Sequence, residues 1–136
     1  MILYEEILRD FSKEKVKYVL VGGVALNLLG YLRATMDLDL LVEMSNENLR
    51  KIVKIMKKRG YIIRQPVDPM GLAEEKTRRS WIREKHMKAF NFYKDKELKE
   101  VDLIIESPVT FEQAVKKAER IRVEDLTLPV ISVDHL

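Results

Sequence analysis

Apolar positions along this chain switch between two periods, and the switches divide it into helices and strands. Leu3, Ile7, Leu8 and Phe11 recur at helical spacing, so residues 2–15 predict an amphipathic helix. Residues 17–21 form a short apolar strand closed by Gly22-Gly23. Residues 24–32 predict a short helix with Ala25, Leu28 and Leu29 inward. The clearest strand is 36–43, where Leu38, Leu40 and Val42 share one face. Ser45 stands as the N-cap of a helix whose buried stripe is Leu49, Ile52, Val53 and Met56. Gly60 falls where a left-handed C-terminal cap is expected.

The second half is more broken. Residues 61–64 predict a strand and 66–71, with Pro66, Pro69 and Gly71, a loop; 72–85 are charged and read either as helix or as irregular chain. Residues 87–93 and 99–105 predict two strands of a hairpin joined across Asp95-Lys96-Glu97. Thr110 and Gln113 make a capping box for a helix burying Phe111, Ala114, Val115 and Ala118. Short strands follow at 121–123 and 126–130. After Ser132, the residues Val133-Asp134-His135-Leu136 read as the opening turn of a further helix. The expectation is one α/β (α+β) domain over 1–136, a mixed β-sheet with flanking helices that lacks a C-terminal helix.

Composition narrows the chemistry. The 136 residues suit one domain with a real core. With no Cys, a disulfide framework, a thiolate zinc site and a cysteine nucleophile are excluded. His86 and His135 are too few for a histidine cage, and both read as bystanders. Any metal is therefore held mainly by carboxylates, which points to a hard cation such as Mg²⁺. No apolar run reaches the ~20 residues of a membrane helix, so a soluble cytoplasmic domain without a membrane partner is expected. The net charge of +3 says little, but its distribution is uneven. Basic residues dominate 50–67 and 76–88; the first run reads as a solvated helix face or an RNA platform. Arg78, Arg79, Trp81 and Arg83 read as an acceptor-binding surface, with Trp81 free to stack on a base, or as a charged helix.

The decisive segment runs from Gly22-Gly23 to Met36-Asp37-Leu38-Asp39-Leu40. On a strand, Asp37 and Asp39 point to one face with Cα atoms about 6.6 Å apart. Like charges so placed repel, and a divalent cation resolves the conflict. Asp102, in Val101-Asp102-Leu103, is again an acid in an apolar strand. If the two strands are neighbours, three carboxylates gather, enough for two Mg²⁺ ions completed by water and substrate phosphates. Gly22-Gly23, between a strand and a helix, lets backbone N–H groups approach phosphate oxygens. A triphosphate cradle beside metal-binding acids is the chemistry of nucleotidyl transfer.

Gly-Gly, then Arg33-x-Thr35-x-Asp37-x-Asp39, then Asp102 on a later strand resembles the DNA polymerase β-like nucleotidyltransferase superfamily. Within it, the chain resembles small prokaryotic proteins related to abortive-infection toxin nucleotidyltransferases. The resemblance implies that Gly22 and Gly23 hold the triphosphate of an NTP and that Asp37 and Asp39 ligate both Mg²⁺ ions. It implies that Asp102 ligates one ion and helps deprotonate an acceptor hydroxyl. It places Arg33 and Thr35 near the phosphates; from the residues alone, Arg33 reads equally as a partner of Asp37 or Glu43. Many members carry Gly-Ser where this chain has Gly22-Gly23, and relatives continue past the final Leu into a helix bearing a Lys. The acceptor is left open between tRNA or other RNA, a protein and a small molecule, as is a toxin–antitoxin role with an antitoxin partner or self-association. The alternative is a non-catalytic nucleotide-binding or partner-binding module on the same fold.

Overall fold

Hydrophobic stripes set the helices and alternation sets the strands. The computed structural model describes residues 4–28, 37–94, 96–97, 99–132 and 135. In chain order these give α1 (Glu5–Lys13), β1 (Tyr18–Val21), α2 (Gly22–Leu28), β2 (Asp37–Val42), α3 (Asn46–Lys58) and β3 (Ile62–Ile63). A 3₁₀ turn (Pro69–Ala73) precedes α4 (Glu75–Glu84), β4 (Ala89–Lys94) and β5 (Lys99–Ile104). Then come α5 (Phe111–Lys117), β6 (Glu119–Val123) and β7 (Leu126–Val130). The strands join in one mixed sheet in the order β3-β4-β5-β2-β1-β7-β6. The expected α/β architecture is the one observed.

The helix ends follow the local chemistry expected of them. The Ser45 hydroxyl accepts a hydrogen bond from the Asn48 backbone N–H at 3.2 Å, opening α3. Gly60 sits at φ +85°, the left-handed region that ends it. Thr110 and Gln113 close the capping box of α5 with reciprocal bonds of 3.1 and 2.9 Å. Two segments differ from expectation. Within the loop at 66–71, the Asp68 carboxylate accepts from Met70 N–H at 2.9 Å and starts the 3₁₀ turn. The ambiguous stretch 72–85 becomes α4, because Trp81 and Arg78 find buried places that its charge pattern did not advertise.

One sheet face is apolar through its centre. Leu38 and Leu40 of β2 lie in register with Val101 and Leu103 of β5, which in turn face Phe92 and Phe90 of β4. All six are essentially inaccessible to solvent, and burying each contributes about 1.5–3 kcal/mol. Helix α1 meets this face through Phe11, whose ring lies 5.2 Å from that of Tyr18. Helix α4 meets it through Trp81, stacked parallel on Phe90 at 5.5 Å. Trp81 is therefore a core residue, which corrects its reading as a base-stacking platform. Arg78 is also buried, its guanidinium donating to the carbonyls of Leu72 and Met44 and to Asn46 Oδ1. It clamps α4 onto the start of α3, which takes it out of any acceptor surface; Arg79 and Arg83 stay exposed.

Asn48 ties the first three layers of chain together. Its side chain accepts from Lys17 N–H at 2.8 Å and donates to the carbonyls of Lys17 and Glu43 at 3.0 and 2.9 Å. It thus pins the N-terminus of α3 to the start of β1 and the end of β2. The exposed basic positions of α3, Arg50, Lys54, Lys57 and Lys58, form a solvated face. Among the described residues, no helix is long and apolar enough to cross a membrane.

Candidate active site

The second sheet face is divided. Val19 and Leu41, near the end of β2, are buried, and α5 packs against β1. At the opposite end the same face turns acidic. Asp37 and Asp39 lie two apart on β2, both half-buried, while Leu38 between them faces the core. Parallel pairing sets Asp39 directly beside Asp102 of β5 and Asp37 beside Glu100. Neighbouring strands lie about 4.8 Å apart, so four acids occupy two adjacent rungs on one face. The three acids expected from the sequence are brought together, with Glu100 as a fourth that sequence reading missed. Its signal was available: Glu100-Val101-Asp102 repeats the acid–apolar–acid spacing of Asp37-Leu38-Asp39.

Gly22 belongs to the same place. Strand β1 is antiparallel to β2, with Val21 opposite Asp39, so the chain leaves β1 beside that carboxylate. Gly22 has φ +75°, and a Cβ there would collide with the Asp39 carboxylate. Only glycine meets both demands. The glycine pair was expected as a turn before a helix; in the fold, α2 begins at Gly22 itself, and Gly23 is buried. Arg33 and Thr35 lie outside the described residues.

The electrostatics match the crowding. Burial first, then the charges of Glu100 and Asp102, raises the Asp37 carboxyl above its ordinary value. Two carboxylates about 6.6 Å apart repel by roughly 0.6 kcal/mol in water and 2.5 kcal/mol at an effective dielectric of 20. A half-buried site lies between those limits. Tyr4, buried beside this cluster, bonds the backbone carbonyl and N–H of Glu100 through its hydroxyl at 3.1 Å each. Burial above all raises that phenol above its ordinary value; the hydrogen bond to the Glu100 backbone opposes the shift, and the charges of Asp37, Glu100 and Asp39 add to it.

A chain of polar side chains leads away from Asp102. Asn91 of β4, in register with it, donates through Nδ2 to Asp102 Oδ1 at 2.7 Å. Arg64, just past β3, donates through Nε to Asn91 Oδ1 at 3.1 Å and through a terminal nitrogen to Glu100 Oε1 at 2.8 Å. Its guanidinium lies 4.1 Å from the centre of the Tyr93 ring. Asn91 was legible as the polar residue between Phe90 and Phe92; Arg64 carried no local signal and arrives through strand pairing.

Among the described residues, no three acids are close enough to cage an ion unaided. Mg²⁺ does not ask for such a cage: it takes one or two carboxylates and fills its octahedron with water and substrate phosphates. Asp39 and Asp102 in register, with Asp37 one step along the strand, are the right donors for that arrangement.

Comparison with solved structures gives a match over 96% of this chain and 75% of the other. It is a Thermotoga maritima protein assigned to the nucleotidyltransferases (TM1012), with TM-score 0.60 and 16% identity. That likeness supports the fold. No curated protein matches the chain. The family model for aminoglycoside-2''-adenylyltransferases matches residues 4–135, nearly the whole sequence. The superfamily expected from Gly22-Gly23 and the Asp-x-Asp pair is the one found, although the sequence resemblance pointed to its toxin-related branch. This chain belongs to the aminoglycoside-2''-adenylyltransferase family of the nucleotidyltransferase superfamily.

Proposed function

We propose that this chain transfers the AMP moiety of ATP to the hydroxyl of an acceptor, with Mg²⁺ as cofactor. The observation that carries the reading is the register of Asp39 with Asp102, with Asp37 on the same face and Gly22 packed against Asp39. Asp37 and Asp39 hold the metal; Asp102 contributes a ligand and takes the proton of the acceptor hydroxyl. The acceptor oxygen then attacks the α-phosphorus in line, the bond to the β-phosphate oxygen breaks, and pyrophosphate leaves. Gly22 and Gly23 offer the triphosphate a backbone without side chains, and Arg33 and Thr35 are the residues that the sequence motif proposes for its phosphates. Bound Mg²⁺ supplies charge neutralisation at the phosphates.

The family name suggests an aminoglycoside hydroxyl as acceptor. RNA, which the basic runs suggested, is the competing acceptor, and with it a place in a toxin–antitoxin pair. ATP labelled at the α-phosphate, incubated with the chain, Mg²⁺ and either an aminoglycoside panel or total RNA, separates them. Label is expected on the aminoglycoside, absent with EDTA, and absent with Asp37→Asn. The fold strains to ionise Asp37, so the Asn variant is expected to stay folded. Label on RNA alone transfers the proposal to that acceptor; ATP binding without any transfer favours the non-catalytic module. Unchanged Mg²⁺-dependent ATP affinity in Asp37→Asn overturns the site assignment.

A further inference from the structure

Asp102 is not left to find its own orientation, and the means lies two strands away. We infer that Asn91 is a positioning residue for Asp102 and that Arg64 acts on the site through Asn91. The inference rests on the proposed role of Asp102. Arg64 Nε is a donor with no acceptor capacity. Of the two faces of the Asn91 amide, only the oxygen can therefore meet it, at 3.1 Å. With Oδ1 so committed, the Nδ2 group is turned toward Asp102, where it donates at 2.7 Å to Oδ1. An amide N–H can only donate, so this bond requires Asp102 Oδ1 to be a bare acceptor. It ties the carboxylate to β4 through Oδ1 and leaves Oδ2 and the second lone pair of Oδ1 to meet a cation or an acceptor proton.

Arg64 is itself held from two sides. Its second donor arm grips Glu100 at 2.8 Å, and its plane covers the Tyr93 ring at 4.1 Å. The Glu100 grip also places a positive charge on the one acid of the cluster that the proposed mechanism does not use. Arg64, Asn91 and Asp102 thus form a chain that starts just past β3, crosses β4 and ends on β5 at the residue that the proposed reaction needs oriented. Without Arg64 the Asn91 amide loses the bond on its oxygen and is held by Asp102 alone, so it constrains the carboxylate less firmly. Partners of this kind behind a metal-binding carboxylate cost about 10–100-fold in affinity when removed.

The test uses Mn²⁺ as a spectroscopic substitute for Mg²⁺, with α,β-methylene-ATP as the nucleotide, so that no acceptor is required. Mn²⁺ affinity is read by electron paramagnetic resonance for wild type, Asn91→Ala, Arg64→Ala, the double variant and Asp102→Asn, with thermal melts alongside. Asn91→Ala is expected to weaken Mn²⁺ roughly tenfold or more, with its melting temperature close to wild type. Arg64→Ala is expected to weaken it in the same direction by less. The double variant is expected to bind Mn²⁺ no more weakly than Asn91→Ala, because an influence routed through Asn91 vanishes with it and removing the positive charge beside Glu100 cannot add to the loss. Additive losses in the double variant, or wild-type affinity in Asn91→Ala, overturn the inference. Wild-type affinity in Asp102→Asn overturns instead the reading of Asp102 on which it rests.

Discussion

Gly22 shows how much one position can be asked to do. Its backbone occupies the left-handed region, and the space a side chain would need is taken by the Asp39 carboxylate. Gly22→Ala is therefore expected to cost about 1–2 kcal/mol of stability from the backbone alone. The added methyl also pushes Asp39 off its position, so Mn²⁺-dependent binding of α,β-methylene-ATP should fall roughly tenfold or more. Urea denaturation and the Mn²⁺ titration read the two effects separately. Loss of stability with unchanged Mn²⁺ affinity would break the link between the turn and Asp39's proposed hold on a metal. The pair Gly22-Gly23 was visible in the sequence; the reason for the first glycine was not, since Asp39 is 17 positions away and reaches it only through β1–β2 pairing.

Elements here are fastened by single polar side chains as well as by stripes. Asn48 lies on α3 beside Leu49, and nothing in the periodicity sets it apart from an exposed helix residue. In the fold it is buried and makes three bonds to the backbone of two strands. Truncation to Ala leaves the Lys17 N–H without this acceptor and the Glu43 carbonyl without this donor. Asn48→Ala is expected to destabilise the chain by about 1–3 kcal/mol, read as a lower urea midpoint with unchanged slope. A surface role would leave the midpoint where it is. The caps were legible because Ser45, Thr110 and Gln113 act on backbone within one helical turn. Trp81 and Arg78 were not, because what buries them is Phe90 and the carbonyls of Met44 and Leu72, all from other elements.

At the scale of the whole molecule, an ion pair ties α3 to α1 in the helical layer. Arg59, following α3, donates to both oxygens of Asp10 on α1 at 2.7 and 2.9 Å. The hydrogen bonds from Arg59 hold the Asp10 carboxyl below its ordinary value. The unfolded chain therefore takes up this proton at a higher pH than the folded one. The stabilisation is complete above the ordinary carboxylate value of about 3.9 and disappears as pH falls through the lowered folded value. Asp10→Asn should accordingly unfold more easily than wild type at pH 7, and the gap should close as the medium is acidified below about pH 4. Parallel urea titrations at several pH values measure it; a gap that persists in acid would assign the effect to packing rather than charge.

Local order was written in the chain: the stripes of α1 and α3, the caps of α3 and α5, the alternation of β2 and the two-residue spacing of Asp37 and Asp39. These depend on neighbours within a few positions, so periodicity and side-chain chemistry suffice to state them. The pattern of Gly22-Gly23, then Asp37 and Asp39, then Asp102 also pointed to nucleotidyl transfer before any fold was seen. Strand order and register were not written there, because they come from the packing of distant segments. That packing placed Asp102 beside Asp39, Glu100 beside Asp37, and Asn91 and Arg64 behind them. A candidate list of acids became a candidate site when β5 chose β2 as its neighbour.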